Sequence, residues 1–448
     1  MTDSGQRGTA AEPVAIGIAL SGGLDSMVLL DVASRFARSH AIVLWAFHVH
    51  HGLSVHADAW VDFCRAQADA QGARFDMRAV QVRADDARGV EEAARVARYA
   101  ALGQMCRAHG VPLLLAAHHR DDQAETVLLQ LMRGAGAAGL SGMAALQAVH
   151  PLLGEGVMLG RPLLGIARAE LEQAASAAGL DFVSDESNLD RRYRRNALRH
   201  DIMPMLDQHF PGFAALVARS ATHMQASQHL LHELAQLDMA ACVAPCADTG
   251  RTSLAVAALA SLSSRRADNL LRDWLHGHGA SVPSTARLAE IRSQMLDADS
   301  DTQPFFDFAD LTLHRIDGRL ELHARLGVPP EDPVTLSWDG EAVLEVPAWQ
   351  GRLIFEPTAG PGLSVQRLSA TLALHPRVGQ ERLKLAHNRP SKSLKSLFQE
   401  AGVSSWKRKW SPLLYLGDDL VFVAGIGVDS RHLEAGPAML VRWEATRR

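Results

Sequence analysis

Cysteine is scarce in this chain: 448 residues hold only Cys64, Cys106, Cys242 and Cys246. Four thiols in such a length cannot form a disulfide framework and fit a reducing compartment. No C-x-x-C pair occurs, and Cys242 and Cys246 have no second Cys/His pair at finger-like spacing, so they read as ordinary thiols. A bilayer-spanning run is also missing. The longest uncharged stretch, 134–154, carries five glycines with Ser141, Gln147, His150 and Pro151, and reads as loop and small-residue packing. The polar first 13 residues contain no apolar secretory core. The expectation is a cytoplasmic protein without membrane association. Neither charge sign dominates: 45 basic against 50 acidic residues leave a net charge of −5, so any nucleic-acid footprint must be local. No glycine is followed by lysine, which excludes the Walker motif G-x-x-x-x-G-K-[ST].

What is present belongs to an ordinary globular protein, 47% hydrophobic and 21% charged, long enough for about three domains. From 14 to 183 short apolar runs alternate with segments of helical period, the pattern of parallel strands with crossover helices. Strands are expected at 14–20, 41–47, 75–80, 112–117 and 157–160. Between them, 90–106 places Val90, Ala93, Ala94, Ala97, Ala101 and Met105 on one face of a helix and Glu91, Glu92, Arg95 and Arg98 elsewhere. The stretch 196–296 shows helical period without strand alternation. Two alternating runs at 311–316 and 319–323, joined by Asp317-Gly318, predict a hairpin. Pro329, Pro330 and Pro333 mark a linker, and a mixed region of strands and one helix, 392–401, follows. The expected domains are an α/β domain at 12–215, a mainly helical middle domain at 216–328 and a small C-terminal α/β domain at 334–448.

The sharpest local feature is Ser21-Gly22-Gly23-Leu24-Asp25-Ser26, between an apolar strand and a helical run. Adjacent glycines let backbone N–H groups approach a phosphate, Ser21 and Ser26 add hydroxyls, and the helix start adds its positive dipole end. Asp25 has the chemistry to hold Mg2+. The bland alternative is a strand-to-helix turn capped by Asp25 or Ser26. A literal G-x-G-x-x-G at Gly134, Gly136 and Gly139 follows a helix, not a strand, and is expected to end that helix.

The hexapeptide resembles the PP-loop of the N-type ATP pyrophosphatases, enzymes that adenylate a carbonyl oxygen and release pyrophosphate. Further segments are similar to the tRNA(Ile)-lysidine synthase family within that class: 47–53, 92–99, 117–126 running on to 133–140, 161–164, 185–188, Arg195-Asn196 with Arg199, and 391–406. Two departures, Glu186 and Ser404-Ser405, stand where this family commonly has proline, and imply small loop changes. The resemblance implies a parallel-sheet PP-loop fold and an ATP-dependent ligation of L-lysine to carbon 2 of the wobble cytidine in tRNA(Ile) with a CAU anticodon. Asp25, Asp122 and Glu125 are then the catalytic candidates. Ser21, Gly22, Gly23, Leu24, Asp25, Ser26, His50 and Arg98 would bind ATP, with Mg2+ at Asp25. Asp122 and Glu125, at i and i+3, would bind the lysine ammonium, although Asp122-Gln-Ala-Glu125 also reads as a capping box. His118-His119 with Asp121-Asp122 admits a rival metal-hydrolase reading, and His51 is an alternative to His50.

Arg191, Arg192, Arg194, Arg195 and Arg199 face one acid, Asp190, with Tyr193 available for stacking. From 377 to 409, nine basic residues face Glu381 and Glu400, and Phe398, Trp406 and Trp410 interleave with them. The tRNA-binding candidates are Arg191, Arg194, Arg195, Arg199, Lys392, Lys395, Trp406 and Arg408. A homodimer is compatible with all of this. Another adenylating PP-loop enzyme, a tRNA thiolase or amidotransferase, is the alternative within the fold; a non-catalytic RNA-binding module would need neither Asp25, Asp122 nor Glu125.

Overall fold

The computed structural model of the chain describes residues 14–52, 56–81, 90–185, 190–245, 252–299, 302–369 and 371–446. Cys246, Glu186 and the three residues after Glu186 lie outside them. The chain falls into two compact units, Met1–Leu230 and Leu231–Arg448.

The first unit alternates strands and helices: β1 (Ala15–Ala19), α1 (Leu24–His40), β2 (Val43–His50), α2 (Ala57–Ala70), β3 (Arg74–Ala79), α3 (Val90–Ala108), β4 (Leu113–Leu115), α4 (Arg120–Met132), α5 (Ala137–Leu140), β5 (Leu146–Gln147), β6 (Met158–Gly160) and α6 (Arg168–Ala178). All five expected strands are present. The sheet order is β3-β2-β1-β4-β6-β5, parallel except for β5. β1 and β4 read as unbroken apolar runs because helices cover both faces. In β2 the alternation sends Leu44 and Ala46 into a core with α1, α2 and α6, and Phe47 and Val49 into a core with α3. The buried face of α3 is turned from the one expected, since Tyr99 and Leu102 join Ala93, Ala101 and Met105 in the interior. The glycine triplet closes α4, with Gly134 at φ 70°.

Three segments follow, α7 (Arg194–Ala197), a π turn at Leu198–Ile202 and α8 (Met203–His209), before the long α9 (Phe213–Cys242). Within the second unit α10 (Val256–Ser261), α11 (Ser264–Gly277) and α12 (Thr285–Asp297) share a core with a five-stranded sheet. Its strands are β7 (Val243–Pro245), β8 (Thr252–Ala255), β9 (Phe305–Asp307), β10 (Leu311–Ile316) and β11 (Arg319–Ala324), in the order β7-β8-β11-β10-β9. The strand-free reading of 196–296 is thereby corrected: β7 and β8 have three and four residues, too few to print an alternation. β10 and β11 form the expected hairpin, and Asp317 (φ 46°) and Gly318 (φ 74°) both take the left-handed conformation of a type I′ turn.

Past the prolines, two antiparallel five-stranded sheets pack around a common core. Leu353, Phe355 and Val441 from one meet Leu372, Leu374, Leu414 and Leu416 from the other. The expected helix forms at Leu394–Glu400 and seats Leu394, Leu397 and Phe398 on a smaller core with Leu383, Leu413 and Val423.

Candidate active site

Strand order reverses between β1 and β4, so the crevice beyond their carboxyl ends is a topological switch point, the usual ligand site of an open α/β sheet. Both singled-out motifs hang there, the Ser21–Ser26 loop after β1 and the start of α4 after β4.

The loop leaves the sheet tightly. The Leu20 N–H donates to the Phe47 carbonyl at 2.9 Å, and buried His48 donates from Nδ1 to the Leu20 carbonyl at 2.9 Å. Burial, partly offset by that bond, lowers the His48 pKa. Ser26 Oγ donates to the Gly23 carbonyl at 2.9 Å, and the two serine hydroxyls lie 3.1 Å apart. Gly22 has φ +85°, and a Cβ there would stand 3.0 Å from both Cys64 Sγ and Val183 Cγ2, so only glycine fits. Gly23 caps α1, leaving Leu24, Asp25 and Ser26 in its first turn, where orphan N–H groups and the dipole favour an anion.

Asp25 is held by Arg168 Nη1 at 2.9 Å on Oδ2, while its buried Oδ1 has no hydrogen-bond partner. Burial raises its pKa, against the opposing pull of Arg168 and His119. A buried carboxylate oxygen without a partner, beside a phosphate-binding loop, suits Mg2+, which takes one or two carboxylates and completes its shell with phosphate oxygens and water.

α4 begins at Arg120, two residues before the sequence motif. Asp122 is therefore the third helical residue, not the cap, and its Oδ2 accepts the His119 N–H at 3.1 Å. Its other oxygen faces the crevice with Glu125, whose exposure is 0%. Arg195 places Nε 2.7 Å from Glu125 Oε2 and Nη2 3.1 Å from Asp122 Oδ1; Arg199 places Nε 2.5 Å from Glu125 Oε1 and Nη2 2.8 Å from Asp122 Oδ1. The two arginines are four residues apart on α7 and the π turn, so one helix face presents both. Burial opposes ionisation of Asp122, yet His119, Arg195, His118 and Arg199 outweigh it and its pKa is lowered.

His119 joins the two motifs. Its ring, 2% exposed, lies 3.8 Å from Asp25, 3.6 Å from Asp121 and 3.4 Å from Asp122, with neither nitrogen hydrogen-bonded. Burial pushes its pKa down, but Asp121, Asp122 and Asp25 prevail and raise it. Asp121 accepts the Arg168 N–H at 2.9 Å and is depressed to about 2, chiefly by His119. Asp25, Asp121, Asp122 and Glu125 thus meet Arg168, Arg195, Arg199 and His119 in one network.

His50 bonds Asp58 through Nε2 at 3.1 Å. His51 keeps Nδ1 buried without a partner, and burial, then Arg98, lowers it to about 4. Burial also takes His118 to about 3 and His150, stacked on Tyr99 at 4.6 Å, to about 4. Arg98 is exposed, its guanidinium 5.7 Å from the Tyr99 ring centroid. Arg168 was absent from the sequence candidates. The available signal was an unfavourable one, a cation in the first turn of a helix, where the dipole repels it.

The basic run divides. Arg191, Arg192, Tyr193 and Arg194 are exposed, whereas Arg195 and Arg199 turn inward onto the carboxylates. In the second unit Lys395 is exposed, Lys392 pairs with Glu400 at 2.8 Å, and Arg408 donates to the Val403 carbonyl at 2.7 Å. The aromatic interleaving there is corrected, because Phe398 is wholly buried and Trp410 packs into the core shared by the two sheets. Trp406 lies against β10 and β11, its ring stacked on His314 at 4.8 Å and tilted over His323 at 4.7 Å.

A glycine-rich loop and carboxylates at the switch point of a parallel sheet define an α/β phosphate-loop enzyme. A PP-loop domain model matches residues 5–206, a TilS substrate binding domain model 254–321, and a TilS substrate C-terminal domain model 372–444. The chain is 43% identical to the tRNA(Ile)-lysidine synthase of Ralstonia nicotianae, over 96% of its own length and 92% of the relative's. It is 42% identical to that of Burkholderia pseudomallei (92% and 89%) and 40% to that of an Azoarcus species (92% and 87%). The chain belongs to the tRNA(Ile)-lysidine synthase family. Among the described residues, no helix is long and apolar enough to cross a membrane.

Proposed function

We infer that this chain ligates L-lysine to carbon 2 of the wobble cytidine of CAU-anticodon tRNA(Ile), with ATP consumed to AMP and pyrophosphate. The observation that carries the reading is the meeting in one crevice of Asp25, at the phosphate loop, with Asp122 through His119, and of Asp122 with Glu125 through Arg195 and Arg199. Cytidine O2 attacks the α-phosphate of ATP and pyrophosphate leaves; the ε-amine of lysine then attacks C2 and AMP leaves.

In the first step negative charge grows on the departing pyrophosphate. The orphan N–H groups of Leu24, Asp25 and Ser26 in the first turn of α1, on a loop whose shape the Ser21 and Ser26 hydroxyls fix, form a preorganised anion cradle for it. Mg2+ bound by Asp25 would neutralise part of that charge. Arg168 and His119 hold Asp25 in place. In the second step an ammonium with an ordinary pKa of about 10.4 must bind and lose a proton. Asp122 and Glu125 already hold two cations, so lysine must share or displace a guanidinium. His50, or His51 beside Arg98, would line the ATP side.

Exposed Arg191 and Arg194, with Tyr193, would meet the anticodon arm, and Lys392, Lys395 and Arg408 the body of the tRNA, the catalytic domain ending near 215 and 216–328 and 334–448 serving as tRNA-holding domains. A cytoplasmic location accords with the scarce, buried thiols of Cys64, Cys106 and Cys242. A homodimer is a further proposal, open to sedimentation.

The test is radiolabelled lysine incorporation into unmodified CAU-anticodon tRNA(Ile), with and without ATP, for the native chain, Asp25→Ala and Glu125→Ala. ATP-dependent incorporation abolished in both variants is expected. Pyrophosphate release without lysine transfer would keep the adenylating fold and overturn the nucleophile.

A further inference from the structure

Gln123 stands between Asp122 and Glu125 in sequence but faces away from the crevice, 3% exposed. Its side-chain amide pairs with the backbone of Met143, donating from Nε2 to the carbonyl at 3.0 Å and accepting the Met143 N–H on Oε1 at 2.7 Å. Gly142, at φ +60°, makes room for this: a Cβ there would stand 2.7 Å from Gln123 Oε1. The strap 141–145 is gripped from two other sides. Arg161 Nη1 donates to the Ala144 carbonyl at 2.7 Å, and Gln225 Nε2, from α9, donates to the carbonyls of Ser141 at 2.7 Å and Met143 at 3.1 Å. The Met143 carbonyl therefore receives Gln123 and Gln225 together, linking α9 to the carboxylate helix through one backbone atom.

We propose that Gln225 is a positioning residue for the lysine step: by holding the strap against Gln123 it fixes the roll of α4 and so the aim of Asp122 and Glu125. A helix with its side chains is about 10–12 Å across, so a roll of roughly 10° moves a side-chain head by about 1 Å. Misplacement by 1 Å costs on the order of 100-fold in rate. The proposal rests on the reading of Asp122 and Glu125 as lysine-binding residues. The phosphate loop has anchors of its own on β2 through Phe47 and His48 and meets α4 only at its start, through His119 and Asp121, so it should feel the change less than Asp122 and Glu125 do.

The experiment compares Gln225→Ala, Gln225→Glu and Gln225→Lys in two assays, pyrophosphate release with tRNA and ATP alone, and lysine transfer over a range of lysine concentrations. A lysine side chain keeps a donor for the two carbonyls; glutamate presents an acceptor to acceptors. The expected result is a 10- to 100-fold loss of kcat/KM for lysine in the alanine and glutamate variants, recovery in the lysine variant, and pyrophosphate release within about threefold of native. Equal loss in both assays, unchanged lysine kinetics in Gln225→Ala, or equal behaviour of the glutamate and lysine variants would overturn the proposal. Absence of lysine transfer by the native chain would instead overturn the functional reading.

Discussion

Replacing Glu125 by glutamine keeps its volume and removes its charge. Glu125 is 0% exposed and takes three contacts of 2.5–3.0 Å from Arg195 and Arg199. Removing one member of a buried ion pair costs about 3–5 kcal/mol. The guanidinium side chains are 29% and 32% exposed, so water recovers part of this, and the glutamine oxygen still accepts one bond. The expected loss is about 2–3 kcal/mol, which in a unit of roughly 200 residues lowers Tm by about 5–10 °C. An ammonium facing the amide loses a charged partner of similar worth, raising the lysine KM by roughly 30- to 150-fold. Calorimetry reads the first quantity and lysine titration of incorporation the second, with pyrophosphate release as control. A Tm change under about 1 °C would refute the energetic argument, and pyrophosphate release lost in step with lysine transfer would refute the division of labour between Glu125 and the phosphate loop.

Acid should destabilise the first unit before the carboxylates titrate. His51, His118 and His150 sit at about 4, 3 and 4, below the ordinary 6.5, so unfolding takes up protons as pH falls through 6.5. The full shifts correspond to about 3–5 kcal/mol for each group, reduced to the order of 1–3 kcal/mol where water screens the ring; the loss develops from pH 6.5 down to about 4, and to about 3 for His118, and is opposed by His119, whose raised pKa adds stability in acid. A Tm that stays flat from pH 7 to 4.5 would contradict this. Gly22→Ala, forced to φ +85° against Cys64 and Val183, should weaken ATP binding at least tenfold by equilibrium dialysis while circular dichroism stays native. Trp406→Ala should cost the second unit about 1–3 kcal/mol through lost stacking on His314 and His323, read as an earlier denaturation midpoint; a change confined to tRNA affinity would instead support Trp406 as an RNA contact.

Legibility in the sequence followed the range of the interactions. The phosphate loop is six contiguous residues acting mainly through backbone geometry and is legible in local spacing, whereas Asp122 and Glu125 share a helix turn that spacing alone reads as a cap, and only the family resemblance marks them as a site. The Asp317-Gly318 hairpin was equally local. Arg168 reaches Asp25 across 143 positions, and Arg195 and Arg199 reach Glu125 on α4 across 70 and 74, so only the folded sheet discloses them. Composition could also mislead: Phe398 lies among lysines in sequence yet points into a core, because a helix carries a charged and an apolar face within four residues. β7 and β8 escaped because cross-strand pairing, not propensity, makes such short segments strands.

The phosphate loop and the carboxylate helix are suspended from neighbouring strands. β1 and β4 pair in one register, Ile16 with Leu113, Gly17 with Leu114 and Ile18 with Leu115, and the chain turns into the phosphate loop from one and into the carboxylate helix from the other. The offset between the phosphate loop and the Asp122–Glu125 pair thus begins from an inter-strand spacing of about 4.8 Å, and a slip of one residue would shift it by about 3.3 Å while turning every side chain to the opposite face. Backbone hydrogen bonds act as the ruler, leaving the surfaces that admit an RNA free to diverge, so selectivity and chemistry can evolve on separate parts of the chain.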